Sequence, residues 1–294
     1  MTPGRRRFLG AFLSGLAVPL GAQRPGEGPI EKVTGGYRFT DGPAWSPEGF
    51  LLFCDVPAGV ILKLTPGEPV GAFRRNSGGA SGNAFDTQGR LYTCETRARR
   101  VVRTDRKGVS EVLAERWEGK RLNAPNDIAV RKDGHLYFTD PAFGYQSDTR
   151  ELDFYGVFHI TPKRELKLAA KIAGRPNGVA LSPNGRTLYV TDSDAHTVRA
   201  WDLDGKGEAA NERVLVAKTE GVPGGLRTDA QGSLYVAAAT VAVYTPEGQP
   251  AGAIPVPEPT SNCAFGDADL KTLYITARTS VYRVRMEAPG AVRH

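Results

Sequence analysis

A short phrase recurs six times along this chain of 294 residues. Each copy begins with a small or polar residue that opens a short apolar strand, continues through a Gly-containing turn, and ends in Leu-Tyr or its equivalent. The opening residues are Asp41, Ser81, Asn126, Asn177, Gly224 and Asn262. Successive openings lie about 40 to 50 residues apart, which is the length of one four-stranded propeller blade. The repeat therefore predicts six blades.

Within each repeat, apolar and polar residues alternate with the period of a β-strand, as in residues 188–192 and 198–202. Turn-forming sequences such as Ser-Pro-Glu-Gly at 46–49 separate the strands. We therefore predict an all-β chain that forms a single six-bladed β-propeller domain over residues 23–294. The last repeat has room for only three strands, and an open blade would leave an unpaired edge. We expect the N-terminal segment from Ile30 to Phe39 to supply the missing outer strand of that blade and close the ring.

Residues 1–22 have the layout of an export signal. Three arginines at 5–7 precede Phe8-Leu9 and an apolar run that ends at Leu20, which is typical of a twin-arginine signal, here with cleavage after Ala22. An ordinary secretory signal or an Arg-rich transit peptide is the alternative. No segment approaches the ~20 apolar residues that a membrane span requires. We expect a protein that uses the twin-arginine export machinery, has no membrane span when mature, and is periplasmic or secreted.

Loss of that segment lowers the formal charge from +6 to +3, because it contains three Arg and no acid. The basic run from Arg97 to Lys107 alternates with Val101 and Val102, which is typical of the solvated edge of an outer strand. A site for a polyanion is the alternative, but no aromatic residues that could stack on bases are interleaved. We therefore expect no nucleic-acid partner.

The cysteines and histidines offer no catalytic arrangement. Cys54, Cys94 and Cys263 cannot all pair with one another, and we expect buried free thiols. The histidines show no spacing that would mark a nucleophile and its base, and we expect His135 and His196 on the surface.

The opening residues should converge at one mouth of the central channel, since each occupies the same place in its blade. One carboxylate and several amides would then surround a narrow axis. Oxygen ligands of this kind suit hard cations such as Ca²⁺, and no His or Cys is present for a soft metal. The alternative is that each Asn only satisfies neighbouring backbone groups.

Acids also recur at the end of the second strand of the first four repeats, on the same face as the openings. They are Asp55, Glu95, Asp140 and Asp192. Capping of the following turn by hydrogen bonds to the backbone is the structural role for such residues, and direct ligation is the alternative.

With these motifs the chain resembles the SMP-30/gluconolactonase/LRE-like family of six-bladed propellers, which includes sugar lactonases. The matching motifs are FTDGPAW (39–45), GKRLNAPND (119–127), YFTDP (137–141), RPNGVALS (175–182), GVPGGLRTD (221–229) and NCAFG (262–266). The resemblance implies hydrolysis of a small-molecule substrate of the sugar-lactone type. It also implies a divalent cation, commonly Ca²⁺, with Zn²⁺ and Mn²⁺ as other candidates.

Carried over position by position, the resemblance assigns the cation to Asp41, Asn126 and Asn177. Asp41 is a shorter carboxylate than the Glu that is usual in the family. The family's Asp, which is both ligand and base, falls on Gly224, which has no side chain. The candidate catalytic substitutes, acting through a bridging water, are Asp192, Asp140 and Asp127. The candidate substrate contacts are Ser81, Glu95 and Asn262.

Two functions of different classes follow. The first is an exported, Ca²⁺-dependent lactone hydrolase in which the cation polarises the carbonyl and a carboxylate activates water. The second is a propeller without catalysis that serves as a periplasmic ligand-binding or scaffold protein. Gly224 favours the second, because its lack of a side chain removes both a ligand charge and a base.

Overall fold

The computed structural model describes Gly26, residues 28–143 and residues 149–291. The predicted export signal at 1–22 lies outside the described residues. The regular elements in the described part are 26 β-strands. In chain order they are β1 (Glu31–Gly35), β2 (Thr40–Trp45), β3 (Leu51–Asp55), β4 (Val60–Leu64), β5 (Gly71–Arg75), β6 (Ala80–Phe85), β7 (Leu91–Glu95), β8 (Arg100–Thr104), β9 (Ser110–Ala114), β10 (Arg116–Trp117), β11 (Lys120–Arg121), β12 (Ile128–Val130), β13 (Leu136–Asp140), β14 (Tyr155–Ile160), β15 (Leu166–Ile172), β16 (Pro176–Leu181), β17 (Thr187–Asp192), β18 (Thr197–Leu203), β19 (Ala209–Val216), β20 (Leu226–Thr228), β21 (Leu234–Ala237), β22 (Val241–Tyr244), β23 (Pro250–Ile254), β24 (Thr260–Gly266), β25 (Thr272–Ala277) and β26 (Ser280–Arg285).

Six four-stranded antiparallel sheets form the blades of a propeller. Blade 1 is β2–β5, blade 2 is β6–β9, blade 3 is β12–β15, blade 4 is β16–β19, blade 5 is β20–β23, and blade 6 is β24–β26 with β1. The innermost strands β2, β6, β12, β16, β20 and β24 contact one another in that order, and β24 returns to β2. The all-β, six-bladed prediction is confirmed. Among the described residues, no helix has the length and apolar character to cross a bilayer.

The N-terminal strand closes the ring. β1 pairs antiparallel with β26, from Glu31 opposite Arg283 to Gly35 opposite Ser280. Trp45 of blade 1 stacks on Tyr274 of blade 6 across the same junction, with ring centroids 5.6 Å apart. Such a pair contributes about 0.5–1.5 kcal/mol beyond the burial of its surface. The predicted closure by the segment before blade 1 is therefore confirmed.

Apolar side chains of facing strands fill the spaces between blades. One cluster joins Cys94 and Val101 of blade 2 to Ile128 and Phe138 of blade 3, all of them buried. Strands such as β3, β7 and β13 are buried at every position, because each blade has a neighbour on both of its faces. All three cysteines are buried free thiols, as predicted.

The expectation that His135 lies on the surface is wrong. His135 is only 7% exposed, and its Nδ1 lies 2.6 Å from Nε2 of the buried His159. His135 immediately precedes β13, and His159 lies on β14 opposite Tyr137. Both histidines touch the turn that contains Gly207 in blade 4, where the hydroxyl of Tyr137 donates to the Gly207 carbonyl. Strand alternation alone could not show this contact, because the covering turn comes from another blade.

This histidine pair should make stability depend on pH. Burial and the neighbouring His135 lower the pKa of His159 from 6.5 to about 4. Between these two pH values the unfolded chain binds a proton at His159 that the folded chain does not. Burial of the neutral imidazole therefore costs no stability above pH 6.5, and it lowers the unfolding free energy as the pH falls towards 4. We expect the unfolding free energy of the wild type, relative to His159→Gln, to fall by about 2 kcal/mol between pH 7 and pH 5. Urea unfolding of both proteins measures this, and parallel pH profiles would contradict it.

Candidate active site

Residues from all six blades meet in one cavity of about 1070 Å³ at one mouth of the central channel. Each blade contributes one residue from the start of its inner strand or from the segment just before it. These six residues, which we call the axial ring, are Asp41, Ser81, Asn126, Asn177, Gly224 and Ser261. The structure thus brings the predicted cation ligands Asp41, Asn126 and Asn177 together, with Ser81 beside them.

Local irregularity of the inner strands accompanies this convergence. The pairing register shifts between Asp41 and Ala44 in β2, with equivalent shifts in β6, β16 and β24. In blade 3 the ring residue precedes the inner strand and is held by a bond from Asn126 N to Thr139 O (2.9 Å). Bulges of this kind re-aim side chains and are frequent beside functional sites.

The sixth position of the ring is Ser261, not Asn262. The bond from Gly225 N to Ser261 O repeats the bonds from Gly82 N to Asn126 O and from Gly178 N to Gly224 O. Asn262 lies one residue further along, is 2% exposed, and accepts a bond from Cys263 N (2.9 Å). The register shift between Thr260 and Asn262 explains the error, because a motif alignment cannot see it. Asn262 therefore does not line the cavity that contains the axial ring.

Asp41 carries the only carboxylate that the described residues place on the cavity wall. Its Oδ1 accepts a bond from Gly42 N (2.7 Å), and its Oδ2 accepts one from Ser81 Oγ (3.0 Å). Burial, reinforced by the charge of Asp127, raises its pKa from 3.8 to about 6. A cation on the cavity side would stabilise the charged form, because an opposite charge offsets the cost of desolvation.

The two amides of the axial ring expose their oxygens. Asn126 Nδ2 donates to Ser81 Oγ (3.5 Å) and Asn177 Nδ2 donates to Ser193 Oγ (3.1 Å). No donor among the described residues bonds to either amide oxygen. Carboxylate and amide oxygens are the donor type that hard divalent cations take, so the residues fit such an ion in kind. They supply one negative charge, and no group of three or more His, Cys, Asp or Glu is arranged for a metal within the described ranges.

Asp127 lies just behind the axial ring and is already paired. Its side chain is 1% exposed, and its Oδ2 lies 3.2 Å from Arg227 Nη1 and accepts a bond from Val179 N (3.2 Å). This partner could not be predicted from the sequence, because Arg227 is 100 residues away in blade 5. Asp127 therefore lies away from the cavity wall, and its charge is balanced by an ion pair with Arg227. This position does not suit the catalytic role predicted for it.

The acids at the ends of the second strands are held within the protein, but of the four only Asp192 caps the turn that follows its strand. Asp55 accepts bonds from the backbone N–H groups of Arg38 and Phe39, and Asp140 accepts bonds from those of Asn123 and Ala124. Burial raises the pKa of Asp140 to about 7. The candidate catalytic residue Asp140 does not line the cavity. Its bonds hold the segment that precedes β12 and not the turn after β13, so its structural role differs from the predicted turn cap.

The remaining two acids of this set are held differently, one by the turn after its strand and the other by ion pairs. Asp192 Oδ1 accepts bonds from the backbone N–H groups of Asp194 (3.1 Å) and Ala195 (3.0 Å). Glu95 is 4% exposed and forms ion pairs with Arg74 (3.0 Å) and Arg100 (2.6 Å). Neither the candidate base Asp192 nor the candidate substrate contact Glu95 lines the cavity.

Gly224 leaves no room for the carboxylate that the family motif has at this position. A Cβ on Gly224 would lie 2.2 Å from the carbonyl oxygen of Ser261 in the next blade. A real Cβ cannot approach a backbone oxygen so closely, so a side chain here requires blade 6 to move. The backbone at Gly224 therefore excludes the Asp of the family motif, so this chain differs from the motif in backbone position as well as in side chain.

We expect Gly224→Asp to lower the unfolding free energy by about 1–3 kcal/mol, because the cost of overpacking falls in that range. For the same reason it should not raise turnover of any lactone. Urea unfolding and a lactone assay measure the two effects. Gly71→Asp is the matched control, because a Cβ on Gly71 meets nothing within 4 Å. A Gly224→Asp protein as stable as the wild type would contradict the packing argument.

Comparison with known proteins agrees with this architecture. The family model for the SMP-30/Gluconolactonase/LRE-like region matches residues 39–279. A gluconolactonase from Zymomonas mobilis is 33% identical over 89% of this chain and 82% of its own length. The structure of a gluconolactonase from Xanthomonas campestris superposes with a TM-score of 0.83, at 31% identity over 90% of this chain and 91% of that one. A regucalcin from Agrobacterium tumefaciens, described as a calcium-binding protein, has a TM-score of 0.77 at 19% identity over 92% of this chain and 98% of that one, which shows a shared fold. The chain belongs to the SMP-30/gluconolactonase/LRE-like family.

Proposed function

We propose that this protein hydrolyses a lactone at the axial ring. The observation that carries the proposal is that Asp41, Ser81, Asn126 and Asn177, from four different blades, line one cavity. The gluconolactonases that it is similar to supply the reaction class. A fold alone would not, because one propeller scaffold can host many functions.

A divalent cation, Ca²⁺ with Zn²⁺ or Mn²⁺ as the alternatives, would be held by the carboxylate of Asp41 and the amide oxygens of Asn126 and Asn177. Such an ion, when bound, polarises a carbonyl. Ser81 would keep Asp41 in place through its 3.0 Å hydrogen bond. The charge of the ligand set is a main determinant of Ca²⁺ affinity, so we expect weaker binding than at a site with two carboxylates.

Asp41 would also act on water. It is the carboxylate that reaches the cavity, whereas Asp127 is paired with Arg227, and Asp140 and Asp192 accept hydrogen bonds from backbone N–H groups. Asp41 would receive a proton from the attacking water and return it to the ring oxygen as the acyl C–O bond breaks, which yields a hydroxy acid.

The direct test is to assay the purified chain on a panel of lactones by proton release, after chelation and after addition of Ca²⁺, Mn²⁺ or Zn²⁺. We expect turnover above the uncatalysed rate that depends on the added ion. Rates equal to the uncatalysed rate for every lactone would contradict the proposal.

The second candidate function is a ligand-binding propeller without catalysis, and Gly224 is the observation that favours it. The backbone around Gly224 excludes a carboxylate, so the one base left on the cavity is Asp41 within the described residues. Titration calorimetry that detects binding of a lactone or of Ca²⁺ without product formation would support this function. Measurable turnover would contradict it.

We also propose that the chain is exported through the twin-arginine machinery and acts in the periplasm or outside the cell. The arginines at 5–7 followed by Phe8-Leu9 support this. Replacement of Arg5 and Arg6 by Lys should retain the protein in the cytoplasm, which cell fractionation measures. Unchanged export of that variant would contradict the twin-arginine route.

A further inference from the structure

The apolar side chains that line the cavity, which we call the wall, differ from the polar side chains of the axial ring at its base. The axial ring lies at the starts of the inner strands, whereas the loops on this face surround it with apolar side chains. These come from blades 1, 3, 5 and 6 and include Phe39, Val56, Pro57, Phe143, Val222 and Pro259. Two of them, Phe39 at 38% and Val222 at 59%, are among the large apolar side chains that are exposed.

Exposed apolar residues at a cavity mouth are a stronger signal than the same residues elsewhere on the surface. Scattered apolar side chains are normal on proteins, but a contiguous apolar wall that adjoins convergent polar groups is typical of a ligand site. Phe39 and Val222 come from different blades, so the fold itself brings them to one cavity. This wall needs a ligand with apolar surface to cover it.

Three hydroxyl groups that line the cavity already donate their hydrogens to the protein. Thr96 Oγ1 donates to Pro125 O (2.7 Å), Thr260 Oγ1 to Ala238 O (3.0 Å), and Ser261 Oγ to Thr40 O (2.7 Å). A ligand with many hydroxyl groups would need several donors and acceptors along the wall. These three hydroxyls have no hydrogen left for a ligand, so apart from the exposed Arg97 and Arg278 the polar side chains open to it lie at the axial ring, where the lactone carbonyl would bind under the proposed function.

Two guanidinium groups, those of Arg97 and Arg278, also line the cavity. Both residues are exposed, and Arg97 Nη2 donates to Pro57 O (3.3 Å). Exposed guanidinium groups stay hydrated while their stems cover apolar surface, so they do not require an anion. They are consistent with a wall that takes apolar groups and a rim that faces water.

We propose that the substrate is a lactone that carries an apolar alkyl or aryl substituent, and that polyhydroxylated sugar lactones are poor substrates. This inference rests on the proposed function, since it assigns the carbonyl to the axial ring and the substituent to the wall. Each methylene that the wall buries should favour binding by about fourfold. Each substrate hydroxyl that loses water without a partner should disfavour it.

Three lactones with the same six-membered ring test the proposal: δ-valerolactone, its pentyl-substituted form δ-decalactone, and glucono-δ-lactone. We expect kcat/KM for δ-decalactone to exceed that for δ-valerolactone by about tenfold or more, with glucono-δ-lactone below both. A kcat/KM for glucono-δ-lactone equal to or above that for δ-decalactone would overturn the inference and leave the hydrolase intact. The same holds if a δ-lactone with a charged carboxylate were preferred.

Binding of inert analogues separates this inference from the proposed function. The δ-lactam that corresponds to δ-decalactone is not hydrolysed, and calorimetry should show that it binds at least tenfold more tightly than the unsubstituted δ-lactam. That result without turnover of any lactone would contradict the hydrolase and support the apolar wall. Equal affinities of the two lactams would overturn the inference even if turnover is found.

A substitution in the wall supplies a second test. Val222→Ser should lower kcat/KM for δ-decalactone about three- to tenfold and leave δ-valerolactone unchanged, since Val222 is 59% exposed and its loss should not disturb the fold. Val214→Ser is the matched control, because Val214 is 52% exposed on the outer strand β19. An equal loss on both lactones, or none on δ-decalactone, would overturn the role of the wall.

Discussion

Replacement of Asp41 by Asn should lower kcat/KM for lactone hydrolysis by about 10³-fold or more. The substitution keeps the shape of the side chain but removes its charge and its ability to accept a proton. General-base catalysis alone contributes about 10²–10⁴-fold. The described residues place no other carboxylate on the cavity, so nothing there replaces Asp41. Steady-state kinetics measures the loss, and calorimetry should show that Ca²⁺ binding is weakened in parallel.

Measurement of the unfolding free energy distinguishes loss of the Asp41 carboxylate from damage to the fold. The folded pKa of Asp41, about 6, lies above its ordinary value of 3.8, so its ionisation costs stability as the pH rises between these values. Asp41→Asn should therefore be at least as stable as the wild type at pH 8. The control is Asp202→Asn, whose side chain is half exposed on β18 and pairs with Arg213 (2.8 Å). An Asp41→Asn protein with more than a tenth of wild-type activity would contradict the role of this carboxylate.

Removal of Arg227 should be the most destabilising single change near the channel. Arg227 pairs with the 1% exposed carboxylate of Asp127, and Arg227→Met would leave that charge buried without a partner. Loss of one member of a buried ion pair costs about 3–5 kcal/mol. We expect the unfolding free energy to fall by that amount in urea titrations, with a loss of turnover, because Asp127 lies close enough to Asp41 to affect its charge.

The paired variant Asp127→Asn/Arg227→Met isolates the cause. Neutral groups of similar size remove the uncompensated charge, so the double variant should recover at least half of the stability that Arg227→Met loses. A loss below about 1 kcal/mol for Arg227→Met would show that water reaches Asp127 in the folded state. Equal instability of the single and double variants would show that the packing of Arg227, and not its charge, is what matters.

The ring and its convergence could be predicted because both depend on repetition. Each blade is a local meander, and identical positions of repeated units must share one radius and one face. The polar openings at Asp41, Ser81, Asn126 and Asn177 therefore come together whatever the details of the turns. The period-two alternation located the strands but not their burial, since β3, β7 and β13 are buried at every position between neighbouring blades.

Contacts between blades could not be predicted, because they join residues that the repeat does not relate. Arg227 of blade 5 reaches Asp127 of blade 3, and the turn at Gly207 of blade 4 covers the two histidines of blade 3. Within the basic run, Arg99 is buried and donates to Leu122 O (2.6 Å), which departs from the solvated edge that alternation indicated. The Ser261 register depends on a bulge, which sequence alignment cannot place.

The pairing of β1 with β26 has a consequence for how the molecule is made. β1 pairs with β26, so five complete blades and part of a sixth must exist before the circle can close. Until β26 has been made, β1 has no partner strand and one flank of blade 1 stays open to solvent, where such surfaces invite aggregation. A variant in which β1 cannot pair with β26 should therefore accumulate as an open, protease-sensitive arc.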